Sequence, residues 1–133
     1  MAVIAKSPAA HYDASTAMFA PQISGNLEAG EDILSAATPC YIDVDGKVYR
    51  AVGAAADKKA VIAGFSNRAA LRGQQITLYS LGTRFQYGTN LTPGTLLFLG
   101  VAAGTLDDTA TTGGSIACAQ VIDTTDIRII RAF

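Results

Sequence analysis

"NLTPGTLLFLGVAAGTLDDTATTGGSIACAQVID", Asn90 to Asp123, decides how this chain is read. Pro93-Gly94 fits the two central positions of a type II turn, where Pro presets φ and Gly accepts a positive one. "TLLFLGV" follows, apolar on both faces, as expected of a strand covered on both sides. Gly100, Gly104, Gly113 and Gly114 punctuate a connection, after which "SIACAQVI" and "TDIRIIRAF" read as a final pair of strands. The segment contains no His, Lys, Arg or Glu. It describes a β-domain and offers almost nothing with which to do chemistry.

Upstream the texture is similar back to Cys40. "CYIDVDGKVYRAV" sets Asp45-Gly46 between two β-prone runs, a two-residue hairpin signal over residues 40 to 52. "AVIAGFS" reads as a short strand, and "RAALRG" before Gly73 as one helical turn. "QITLYSL" alternates, with Ile76 and Leu78 on one face and Thr77 and Tyr79 on the other. "RFQYG" reads as its extension or a bulged return. Short strands with turn signals every 8 to 15 residues predict a mainly β, single-domain barrel or sandwich over residues 31 to 133. Residues 1 to 30 differ: Ala-rich, weakly patterned and broken by Pro8, Pro21, Gly25 and Gly30. They are expected to form an extended, irregular N-terminal arm, either frayed or ordered on a neighbouring subunit.

Composition excludes several functions. Ten Lys and Arg stand against eleven Asp and Glu, and the basic residues are scattered, so no basic face for nucleic acid is visible. Only 16% of the 133 residues are charged, against about 25% in an ordinary domain. That deficit points to a surface partly covered by another protein. No apolar run reaches the roughly 18 to 20 residues of a membrane span, and the start lacks a signal-peptide pattern, so the chain is expected to act without export.

Reactive constellations are equally sparse. The sole His, His11, lies in the unpatterned arm, a poor place to hold the base of a catalytic triad. "DVDG" lacks the further oxygen ligands and distal Glu of a calcium loop, so it reads as a turn. "GAAADKKA" lacks the second Gly and the Ser or Thr of a phosphate loop. Cys40 and Cys118 sit in apolar strand-like contexts, read as small buried hydrophobes, with a disulfide between them left open. No cofactor, metal or catalytic residue is assigned, and the chain is not expected to be an enzyme.

The order of features resembles the capsid decoration, or cement, proteins of tailed bacteriophages. The resemblance runs from about Gly25 to Phe133 through "GNLEAGEDI", the "DGKVYRA" hairpin, "ALRGQQITLY", "LTPGTLLFLGVAAGTLDD", "GGSIACAQVID" and the ending "TDIRIIRAF". It implies a β-rich domain, associating as a trimer or dimer, that sits on the outer capsid surface of the virion and locks neighbouring major capsid proteins together after synthesis in the host cytoplasm. The expected partners are therefore the major capsid protein and other copies of the chain, with no nucleic acid and no membrane. Candidate capsid contacts are Val3, Ile4, Tyr12, Met18, Phe19 and Ile23 of the arm, by β-augmentation, with a second patch at the small-residue loop 104 to 114. The alternatives are another phage structural module (tail, fibre or spike) and a small glycan- or ligand-binding β-module.

Overall fold

The computed structural model describes residues 3–13 and 20–132, which form eleven short strands in two antiparallel sheets. In chain order these are β1 (His11–Tyr12), β2 (Gln22–Ile23), β3 (Pro39–Ile42), β4 (Val48–Arg50), β5 (Gly64–Ser66), β6 (Leu78–Tyr79), β7 (Arg84–Gln86), β8 (Leu96–Leu99), β9 (Leu106–Asp107), β10 (Ala119–Val121) and β11 (Asp126–Ile129). One sheet runs β1-β7-β11-β10-β8-β9 and the other β2-β6-β5-β3-β4. The architecture is a small β-sandwich, one of the two forms that the spacing of turn signals predicts, and the sheets do not close into the other, a barrel.

Alternation builds the interior. Phe85, Leu97, Ala119, Val121, Ile127 and Ile129 point inward from the six-stranded sheet, and Phe65 joins them from the other. The Phe65 and Phe85 rings lie 6.3 Å apart and tilted, which fastens one sheet to the other. A second cluster, including Leu27, Ile33, Cys40, Val48, Ile76 and Leu78, fills the five-stranded side. Each fully buried aliphatic or aromatic side chain here contributes about 1.5 to 3 kcal/mol of burial free energy. Cys40 and Cys118 are both free and buried, each within a different cluster, which closes the disulfide question.

Several local expectations are met. Gly94 has φ +87° and the Thr95 N–H donates to Thr92 O at 3.3 Å, the bond that closes the expected Pro93-Gly94 turn. β10 and β11 pair as a hairpin. Ile76 and Leu78 are buried while Thr77 and Tyr79 are only partly so.

Others are corrected. β3 and β4 do form a hairpin, but Gly46 N–H donates to Asp43 O and Asp43 N–H to Lys47 O, so the loop has three residues, Val44, Asp45 and Gly46. Gly46, at φ +78°, takes the left-handed position that ends such a loop. "RAALRG" forms no helical turn. Ala70 instead exchanges backbone bonds with Ile33, a tertiary pairing that overrides the helical preference of Ala and Leu. A 3-10 turn occurs at Lys58–Ala60, capped by Asp57, whose carboxylate accepts from Lys59 N–H. β7 does not continue the strand before it but crosses to the other sheet. β8 is not covered on both faces, since Leu96 keeps 45% of its surface and Phe98 is half-buried.

The boundary expected at residue 30 does not coincide with a break in packing. Leu27 and Ala29 belong to the second core, β2 pairs with β6, and β1 pairs with β7. Over its described residues the N-terminal segment is part of the sandwich.

Candidate interaction surface

The expected contact residues belong to a segment whose sequence shows no pattern for a core of its own. Four of the six lie among the described residues, and the fold turns them largely toward the molecule itself. Val3 forms an isolated bridge with Asp107 and remains half exposed. Ile4 donates its N–H to Leu106 O at 2.8 Å and packs on the first core. Tyr12 lies opposite Phe85 and meets Tyr79 edge to face at 5.3 Å. Ile23 lies opposite Leu78 and packs on the second core. Met18 and Phe19 lie outside the described residues.

The loop expected as a second patch uses its small residues for a different purpose. A methyl group on Gly53 would stand 2.7 Å from Gly100 O, one on Gly114 2.6 Å from Leu99 O, and one on Gly113 would collide with Ala55 O. Gly53 N–H donates to Gly100 O, and Gly113 N–H to Gly53 O, both at 2.9 Å. The close backbone approach is therefore intramolecular, joining loop 52–57 to loop 100–115. Thr111 fixes it: its buried Oγ1 donates to Leu99 O at 2.7 Å and accepts from Gly114 N–H at 2.8 Å.

What the surface does offer is aliphatic side chains standing in loops. Val44 at the hairpin tip is 91% exposed, Leu34 75%, Val61 64% and Ile116 58%. Val61 and Ile116 border a groove of about 430 Å³ lined also by Ala60, Leu99, Cys118 and Arg131. Sequence reasoning missed these residues, although Val44 was signalled: an aliphatic between Asp43 and Asp45 at a turn tip has no route to the core. The neighbouring charges are engaged in ways that hold the hairpin. Lys58 Nζ donates to Asp43 at 2.7 Å and Tyr49 OH to Asp45 at 2.7 Å, and these bonds hold both carboxyls below the usual carboxylate range.

A partly buried ammonium was also missed, for want of any signal in the Ala-rich segment around it. Lys6 Nζ donates to Ser35 Oγ at 3.0 Å, Ala36 O at 3.0 Å and Thr38 Oγ1 at 2.8 Å, and lies 5.5 Å from the centre of the Tyr87 ring. Burial pushes its pKa down to about 8. Arg84 binds Asp126 at 2.6 Å and Asp123 at 2.9 Å, tying β7 to the turn before β11. Among the described residues no group of three or more His, Cys, Asp or Glu is placed to hold a metal, and no helix is long and apolar enough to cross a membrane.

Comparison with protein-family models, with curated proteins and with solved structures finds no match.

Proposed function

We propose that this chain is a virion structural protein that binds the outer surface of an assembled bacteriophage capsid and stabilises it by bridging major capsid proteins. The observation that carries the reading is the surface: few charges, and aliphatic side chains held in water at Val44, Leu34, Val61 and Ile116. Covering each such side chain on a partner is worth up to about 1.5 to 3 kcal/mol, so a few of them suffice for a modest interface. A specific contact buries about 800 Å² per partner, and Val61 and Ile116, which border one groove, could share such a contact. Binding to the assembled shell and not to free subunits turns that affinity into shell stability, and many copies on a closed lattice multiply a modest contact.

The test is co-sedimentation of the purified protein with expanded, undecorated capsids of its source phage, counting copies bound per shell. Saturation at a copy number that fits the lattice, with a raised shell melting temperature, is the expected result. Failure to bind would move the reading to a tail, fibre or spike. The groove beside Val61 and Ile116 favours one other reading, a small ligand- or glycan-binding module. That reading predicts a ligand-induced rise in melting temperature with no affinity for shells.

A further inference from the structure

Residues 3–13 cross the molecule as a strap. The segment starts at β9, one edge of the six-stranded sheet, through the Val3–Asp107 bridge and the Ile4 N–H to Leu106 O bond. It ends on β7 at the opposite side of the same sheet, where Ser7 N–H donates to Tyr87 O at 2.6 Å and Asp13 N–H to Arg84 O at 2.6 Å around the β1–β7 pairing. One short segment thus pairs with both β9 and β7, whose backbone groups would otherwise be open to another chain.

The strap is held mainly by its backbone. Val3, Ala5, Pro8, Ala9 and His11 are exposed, and Ile4 and Tyr12 are half-buried. At one end its polar anchor is Lys6, which reaches into the 35–38 turn leading to β3 and so ties the strap to the other sheet, and at the other end the Asp13 carboxylate acts on the Arg84 guanidinium of β7. All three acceptors of that ammonium are uncharged, so the bonds offset the desolvation of a partly buried charge without the attraction of a counter-ion. A segment with few buried side chains and a costly anchor belongs to the low-stability end of a fold, where local opening is frequent.

We propose that residues 3–13 are a detachable strap latched by Lys6, and that the strand edges it vacates on β7 and β9 are an acceptor site for an extended strand of another chain. Recognition is by main-chain pairing along those edges plus one cationic side chain in the Ser35, Ala36 and Thr38 nest. The sequence shown to fit is the chain's own, so the partner strand should carry a Lys between small or aliphatic residues. The proposal stands apart from the capsid reading, and its test contains no capsid.

The probe is a fluorescent synthetic peptide of residues 1–13, added to the full-length chain and followed by anisotropy. A Lys6→Ala chain should capture the peptide about tenfold more tightly than the wild type, because the incoming strand brings the latch that the resident strap has lost. A Lys6→Ala peptide should gain nothing on the wild-type chain. A His11→Cys/Gln86→Cys chain, oxidised to lock β1 onto β7, should capture no peptide until reduced. Capture by the locked chain, or none by the Lys6→Ala chain, would overturn the proposal. Hydrogen exchange of the unmodified wild type provides an independent check. The Ile4 and Ser7 amides should exchange at least about 100-fold faster than those of Val121 and Ile129. Equal rates would make the strap an integral strand and also overturn the proposal.

Discussion

Gly114 is packed so closely on Leu99 that a methyl group on its α-carbon would stand 2.6 Å from the Leu99 carbonyl oxygen and 2.7 Å from Thr111 Oγ1. The backbone and the buried hydroxyl on either side are already hydrogen-bonded and have no room to move. Gly114→Ala should therefore cost about 2 to 3 kcal/mol, the scale of overpacking in a dense core. Gly46→Ala is the control: its surroundings are open, but its φ of +78° imposes a left-handed cost of about 1 to 2 kcal/mol. Urea unfolding of both variants should rank Gly114→Ala as the more damaging. The reverse order would mean that loop 100–115 is not packed as described.

Thr111 tests the same junction through a bond instead of a contact. Thr111→Val keeps the shape but removes the donor to Leu99 O and the acceptor for Gly114 N–H, leaving two buried backbone groups unpaired. A loss of about 2 kcal/mol is expected, and Thr111→Ser should recover most of it because the hydroxyl returns. If Ser is no better than Val, packing of the methyl group and not the hydrogen bonds holds the loop.

These residues mark how far the sequence could be read. The Pro93-Gly94 turn, the Ile76 and Leu78 alternation and the β10–β11 hairpin were legible because each is set by residues a few positions apart. The N-terminal segment was not, because its partners are remote: His11 lies opposite Gln86, and Gln22 opposite Tyr79. A two-residue strand shows no period, and only the tertiary fold supplies its register. The small residues of loop 104–114 correctly announced close backbone approach but not whose backbone. The exposed aliphatics were hidden for a related reason, since a loop Leu or Val such as Leu34 looks like a core residue until the core is seen to close without it.

The buried thiols fix an alkaline limit to stability. Burial raises Cys118 from 9.0 to about 12, and Cys40 similarly to about 12. A raised folded-state pKa means stability that is present in full below the unfolded pKa near 9 and is lost as pH climbs toward 12. Between pH 9 and 10.5 each thiol should thus remove about 2 kcal/mol, from 1.36 kcal/mol per unit. Lys6 acts in the opposite sense. Its pKa is lowered from 10.5 to about 8, so its burial cost is relieved as pH rises across that window. Cys118→Ala isolates the thiol: whatever it costs at pH 8, its gap to the wild type should narrow by about 2 kcal/mol by pH 10.5 in urea melts. A constant gap would show that the thiol titrates normally and is open to water.

Deleting residues 2–24 is a poor probe of capsid binding, because Ile4, Tyr12 and Ile23 pack on the cores and the same deletion strips β1 and β2 from the sheets. A point substitution at the hairpin tip separates binding from folding. Val44 is 91% exposed, so Val44→Asp should change unfolding free energy by no more than about 0.5 kcal/mol, as is usual at the surface. If the tip enters a capsid contact, the same change buries an unpaired carboxylate there and should weaken binding to expanded shells at least tenfold, a loss of about 1.4 kcal/mol or more. Val48→Asp, in the core four residues on, should instead unfold the chain, since Val48 has no exposed surface. Undiminished shell binding by a folded Val44→Asp protein would remove the hairpin tip from the interface and direct attention to Leu34, Val61 and Ile116.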